Sequence, residues 1–251
     1  QNCGATVVSH YCPDCGQKHP QKRLTLKEVF HLAYESLVDF DRGLFFTAWQ
    51  LLVRPHVVIR DYIAGRRVIY TNPVKYMFIW LGVSTFLSLA VIDIDKLQQQ
   101  MNAQTARTAD EKKFQHDAME FLTTNPQVMY AVLVPLLGLF ALWFFRRSGY
   151  TYAEHLTANT YLMAQSTLVL IPTYPLYLLF PNHFAQVSFW LSLLMFAYYM
   201  FGAALLFNNG GGYWKPALKG LAVSVLAYLM LFLVLGIVAF IAAILYVINT
   251  R

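Results

Sequence analysis

The sequence predicts an all-α membrane protein, with about five transmembrane helices after amphipathic interfacial helices and a small N-terminal zinc ribbon. Three observations carry this expectation. Of the 251 residues, 57% are hydrophobic and only 13% charged, against a charged fraction of about 25% in ordinary soluble domains. So apolar a chain needs lipid as its solvent. Five stretches supply the roughly 20 apolar residues that a helix needs to cross about 30 Å of hydrocarbon. Finally, ten of the nineteen Lys and Arg residues lie between Lys18 and Lys75, an asymmetry that points to a membrane surface and away from nucleic acid.

The spans are predicted at 73–92, 126–145, 152–171, 184–207 and 216–248, forming a bundle over 73–248. Pro135 and Gly138 interrupt the second, which membrane helices tolerate. The third is the most polar, and beyond it Pro172 and Pro175 leave two readings open: 152–180 crosses once as a broken helix, or it splits. The fifth is long enough that it must tilt or project. Positive charge stays on the cytoplasmic side. The segment through Lys75, with Arg146, Arg147, Lys215 and Lys219, puts fourteen positive residues inside and leaves five outside. The N-terminus is thus expected on the cytoplasmic side and the C-terminus on the far side. The polar, Gln-rich 93–125 segment is extracytoplasmic on this reading and helical around Lys112 to Leu122. The chain opens on Gln1 with no basic-plus-apolar leader, so the spans themselves are expected to drive insertion.

Residues 24–70 precede the bilayer as juxtamembrane helices. Thr25-Leu26-Lys27-Glu28 has the spacing of a capping box, in which hydroxyl and carboxylate satisfy the free amides of a helix start. Leu26, Val29, Phe30, Ala33, Tyr34, Leu37 and Val38 then fall on one face. Lys27, Glu28, His31, Glu35 and Asp39 occupy the other, read as a solvated face, with Asp41 and Arg42 following. A second helix is expected from Leu44 to Val53, and a third from Pro55 to about Ala64 with Gly65 as its stop. Arg54, Arg60, Arg66, Arg67 and Lys75 beside Phe45, Phe46, Trp49, Val57, Val58 and Ile63 suit helices in the headgroup layer. They equally suit helices packed on the cytosolic ends of the spans. These five cations are the candidate lipid-binding or partner-binding residues.

Residues 1–20 hold the three cysteines. Cys12-Pro13-Asp14-Cys15-Gly16 is a Cys-x2-Cys knuckle, and two knuckles make a zinc ribbon. Cys3-Gly4 reads as the second half of an earlier knuckle whose first cysteine would precede Gln1. Cys3, Cys12 and Cys15 are therefore the candidate metal ligands, with His10 or His19 as substitutes for the fourth. A four-ligand zinc of this kind is structural and folds a head too short to build a core.

In the third span Glu154, Tyr161 and Gln165 lie at i, i+7 and i+11, and His155, Asn159 and Ser166 lie one residue along, which makes one broad polar face. Intramembrane ionisable residues look into the bundle or a watery cavity. Glu154, His155, Asn159 and Gln165 are accordingly either glue near the interface or the lining of a polar cavity. Asn208 to Gly212 is a glycine-rich turn without the Lys and Ser or Thr of a phosphate loop. The chain has no His-Glu-x2-His, no Gly-x-Ser-x-Gly and no Walker motif, so no catalytic residue is assigned.

The knuckles, the capped helix, Asp41-Arg42-Gly43, Arg54-Pro55, Arg60 to Arg67 with Tyr62 and Gly65, and Tyr70 to Tyr76 with Asn72-Pro73 form a recognisable series. It resembles the bacterial zinc-ribbon membrane family catalogued as domain of unknown function 3667. Tyr152 to Leu156 is similar to a later motif of that family. The resemblance implies a zinc-ribbon membrane protein and supplies no activity. The expected function is a non-enzymatic accessory or scaffold subunit whose basic, zinc-stabilised head binds a protein partner or anionic lipid. A small-molecule or lipid transporter built on the polar third span is the alternative.

Overall fold

The computed structural model describes residues 24–29, 43–91, 124–180, 183–208 and 210–249, with isolated positions within 11–16 and 117–121 and the backbone alone of 242–249. Cys3, Cys15, His10, His19, the continuation of the first amphipathic helix through Val38, and most of 93–125 lie outside the described residues. Residues 26–29 are helical, and the Glu28 amide donates to Thr25 Oγ1 at 3.3 Å, which is one half of the expected capping box.

Two short helices come next, α1 (Leu44–Val53) and α2 (Pro55–Ile63), with the bounds the sequence predicts. Proline cannot donate its amide within α1 but suits a first turn, so Pro55 ends one helix and opens the other. The Arg54 amide closes α1 on the Gln50 carbonyl at 2.7 Å. Gly65, at φ +101°, takes the left-handed conformation that ends α2.

The long helices are α3 (Pro73–Val91), α4 (Pro126–Phe144), α5 (Tyr152–Leu170), α7 (Phe184–Leu206) and α8 (Trp214–Asn249). A 3-10 turn at Ile171–Thr173 and the short α6 (Pro175–Leu179) prolong α5. Residues 152–179 form one candidate apolar span of 28 residues, with Pro172 inside the 3-10 turn and Pro175 in the first turn of α6. The described residues thus contain five helices long and apolar enough to cross a membrane, the make-up of a helical membrane protein. Their outer surface fits lipid: Phe86 is 75% and Phe240 67% exposed.

Side-chain pairings give the helix directions. Tyr76 meets Gln165 and Ser84 meets Tyr174 at 2.5 Å, so α3 runs parallel to α5–α6. Tyr130 meets Thr167 at 2.9 Å while Gly138 faces Leu156, so α4 is antiparallel. Likewise Met195 meets Tyr228 and Ala203 meets Gly220, so α8 returns along α7. At the centre stands α5, in contact with α1, α2, α3, α4 and α7. Fourteen of its residues are buried, Ala153–His155 and Thr157–Thr167. Its sequence explains that place. Alanines 153, 158 and 164 let neighbours approach closely. Thr160, Ser166 and Thr167 return their hydroxyls to the carbonyls of Leu156, Leu162 and Met163, so these polar groups need no partner from outside the helix.

Candidate functional site

The polar face of α5 is held inside protein. Glu154, His155, Asn159 and Gln165 are each at most 3% exposed. Thr151 caps α5 in a complete capping box: its hydroxyl accepts from the Glu154 amide at 3.3 Å, and its own amide donates to Glu154 Oε2 at 2.7 Å. The signal for this role was present in the sequence as Thr151-x-x-Glu154, and it makes Glu154 a helix cap. His155 packs 5.8 Å from the Tyr150 ring and 5.6 Å from that of Phe207, and neither ring nitrogen has a hydrogen-bond partner among the described residues. Asn159 donates to the His155 carbonyl at 2.7 Å and accepts from Tyr199 Oη at 2.5 Å.

Gln165 joins three helices. Its Oε1 accepts from the Tyr76 hydroxyl of α3, and its Nε2 donates to the Ala48 carbonyl of α1 at 3.2 Å. A row of tyrosines does similar work, of which sequence reasoning placed Tyr161 on the polar face and did not single out Tyr198. Tyr161 donates to the Thr71 carbonyl at 2.6 Å, Tyr198 of α7 to the Leu51 carbonyl at 2.9 Å, and Asn72 to Tyr62 Oη at 3.2 Å. The Thr71 amide in turn donates to Thr47 Oγ1 at 2.9 Å. These bonds clamp the α1–α2 hairpin and the 66–72 link onto α5 and α7. The two described clefts are lined by α4, its following turn and the 207–219 region, and none of the four polar candidates lines either.

The five candidate cations do not form one patch. Arg60 closes the end of α7, donating to the Leu206 carbonyl at 2.6 Å and to that of Leu205 at 3.4 Å, where helix carbonyls lack internal partners. The Arg67 side chain is largely covered and lies 3.7 Å from Glu28, with its Nε donating to the Tyr62 carbonyl at 3.3 Å. Lys75 is buried in the first turn of α3. Arg66 remains half exposed beside Asp61 at 3.3 Å, and Arg54 is exposed at the α1–α2 corner. Three of the five, Arg54, Arg60 and Arg66, are therefore exposed, and Arg60 among them is engaged on the end of α7.

Near this corner, burial and the flanking Arg60 and Arg54 charges hold the His56 imidazole below its usual range. Tyr70 hydrogen-bonds Asp61 Oδ2 at 3.2 Å. Burial first, then the Asp61 charge and this bond, push its hydroxyl up to about 12. Because the folded value exceeds the unfolded value of about 10, folding favours the neutral phenol. That contribution is fully present below pH 10 and is lost as pH rises toward 12. The Tyr70→Phe chain should lose less stability than the parent over that interval in detergent melts, and parallel alkaline losses would exclude the effect.

With the hairpin and its anchors placed, the match to known families can be located. Residues 41–85 match the family described as protein of unknown function (DUF3667). The DUF3667 segment is thus α1, α2, the 66–72 link and the front of α3, the part clamped to the hub. No curated protein and no solved structure matches the chain. The zinc ribbon expected from the resemblance lies outside the DUF3667 match. Of its expected ligands Cys12 is buried, and its carbonyl accepts from the Gly16 amide at 2.9 Å. Gly16 is left-handed, at φ +71°.

Proposed function

We propose that the chain is a non-enzymatic accessory or scaffold subunit of a bacterial inner membrane, which holds anionic lipid with its α1–α2 hairpin and presents a zinc-stabilised head to a protein partner. The observation that carries this reading is the outward side of the hairpin. Phe45 is 78% and Trp49 64% exposed, with Phe46, Leu52 and Val53 also exposed and Arg54 at the corner. An apolar face rimmed by cations suits the boundary between acyl chains and headgroups. The hub bonds hold that face in a fixed position against the spans.

The distribution of positive charge supports a cytoplasmic hairpin and head, with a periplasmic C-terminus. For the head, the left-handed Gly16 turn on the Cys12 carbonyl supports reading Cys12 to Cys15 as a knuckle. Cys12 with Cys3 and Cys15 supplies soft thiolate donors suited to zinc. Bound zinc would fold the head and supply no chemistry of its own. The hydrogen-bonded burial of Glu154, Asn159 and Gln165 favours this scaffold reading over a transport pathway through α5.

The test uses the full chain in nanodiscs doped with a photoreactive phosphatidylglycerol. Labelling should concentrate in residues 44–66 and fall about fivefold for each charge removed in Arg54→Gln/Arg66→Gln, as expected for cations near an anionic surface. Equal labelling by a photoreactive phosphatidylcholine, or no change in the double variant, would sink the lipid role.

A further inference from the structure

A second basic feature lies away from the hairpin, where α4 ends and α8 begins. A cleft of about 220 Å³ is bordered by Arg147, Ser148, Gly211, Gly212, Lys215 and Lys219, and its apolar lining includes Phe145 and Phe207, whose rings stack at 3.9 Å. Among the described residues no carboxylate lines it. Lys219 is anchored, donating to the Phe144 carbonyl at 3.3 Å with its ammonium 5.8 Å from the Phe145 ring. Arg147 and Lys215 are exposed, and neither has an ion-pair partner among the described residues.

This arrangement gathers positive charge with no counter-charge among the described residues that line the cleft. The start of a helix carries partial positive charge and attracts anions. Yet α8 has no acidic residue in its first turn and places Lys215 there, with Arg147 across the cleft. An anion in the cleft would be attracted by both side chains and by the helix start together. The space equals that of about seven waters, enough for a tetrahedral phosphate and part of what it is attached to. Ser148 adds a hydroxyl that can donate to a phosphate oxygen while it accepts from the Tyr150 amide at 3.3 Å. Gly211 and Gly212 border the cleft without side chains.

We infer that this cleft binds a phosphate group, held by Arg147, Lys215, Lys219 and Ser148. The group belongs either to an anionic lipid headgroup or to a soluble phosphate compound. The site shares no residue with the hairpin and does not depend on the hairpin's lipid role.

The experiment uses the full chain in phosphatidylcholine nanodiscs, in an Arg54→Gln/Arg66→Gln background so that the hairpin does not contribute. Phosphatidylglycerol retention is read by native mass spectrometry and inorganic phosphate binding by calorimetry. At least one probe should bind, weakening about 25-fold in Arg147→Gln/Lys215→Gln at about fivefold per charge, while Arg147→Lys/Lys215→Arg retains it. Phosphatidylglycerol alone would identify a headgroup site, and inorganic phosphate binding a site for soluble phosphate. If neither probe binds, or if the neutral double variant binds as the parent does, the inference is overturned.

Discussion

Replacing Gln165 with Leu is expected to loosen the α1–α2 hairpin from the bundle while leaving the spans assembled. The substitution nearly conserves volume, so its effect is that of lost hydrogen bonds and not of a cavity. Gln165 accepts from Tyr76 Oη and donates to the Ala48 carbonyl. Tyr76 is wholly buried, so its hydroxyl would lose its acceptor where water cannot replace it. An unsatisfied buried polar group costs about 1–3 kcal/mol, and interhelical bonds in membrane bundles contribute about 0.6–1.7 kcal/mol. A loss of about 2 kcal/mol is the expected result. Hydrogen exchange in detergent should show faster exchange confined to residues 44–63. Adding Tyr76→Phe should recover part of the loss, since removing both partners of a bond is nearly neutral. Unchanged exchange at the hairpin would show that Gln165 is not what holds it.

That prediction could not have been made from the sequence, and the reason is specific. Periodicity and length locate the spans because about 20 apolar residues are a local property, and Pro55 and Gly65 mark the hairpin because their backbone constraints are local too. The polar face of the third span was equally visible. Its meaning was not, because its partners lie far along the chain: Tyr76 and Thr71 are 89 and 90 residues from Gln165 and Tyr161, and Tyr199 is 40 from Asn159. Two acceptors, at Ala48 and Thr71, are backbone carbonyls, which every residue carries and no pattern announces. A polar stripe that meets such groups becomes an assembly hub, and the same stripe facing water would line a pathway.

The basic residues follow the same logic. Counting cations from Arg54 to Lys75 suggests one adhesive surface, but a guanidinium on its flexible three-carbon stem can serve a distant helix end as readily as a headgroup. Arg60 does so at Leu206, 146 residues away. Conversely, Arg147, Lys215 and Lys219 were read only as markers of orientation. They converge because Gly210 to Gly212 turn the chain between α7 and α8, and that convergence is a tertiary fact. The capping box at Thr151 and Glu154 is the exception: it was fully legible, and the span reading of Glu154 obscured it.

The seam between α7 and α8 provides the second large effect. A Cβ on Gly220 would stand 2.7 Å from the Ala203 Cβ and 3.8 Å from the Met200 Cα. Ala203 has no rotamer with which to yield, so Gly220→Leu must push the two helices apart. Val223, Ala227 and Leu231, all wholly buried, follow at helical spacing on α8 and would lose contacts as the seam opens. Overpacking of this kind costs about 1–3 kcal/mol, and the packing lost along the helix adds to it. Gly236→Leu is the control, because a Cβ there meets nothing within 4 Å and the same helix gains the same side chain. Gly202→Ala is a graded intermediate: its Cβ would lie 2.3 Å from Leu162 Cδ2, the far end of a side chain that can move. Thermal unfolding in detergent should rank Gly220→Leu well below Gly202→Ala, with Gly236→Leu at or above the parent, since leucine is a better helix former than glycine by about 1 kcal/mol. Equal losses at 220 and 236 would mean that the close approach of α7 and α8 does not hold this end of the bundle together.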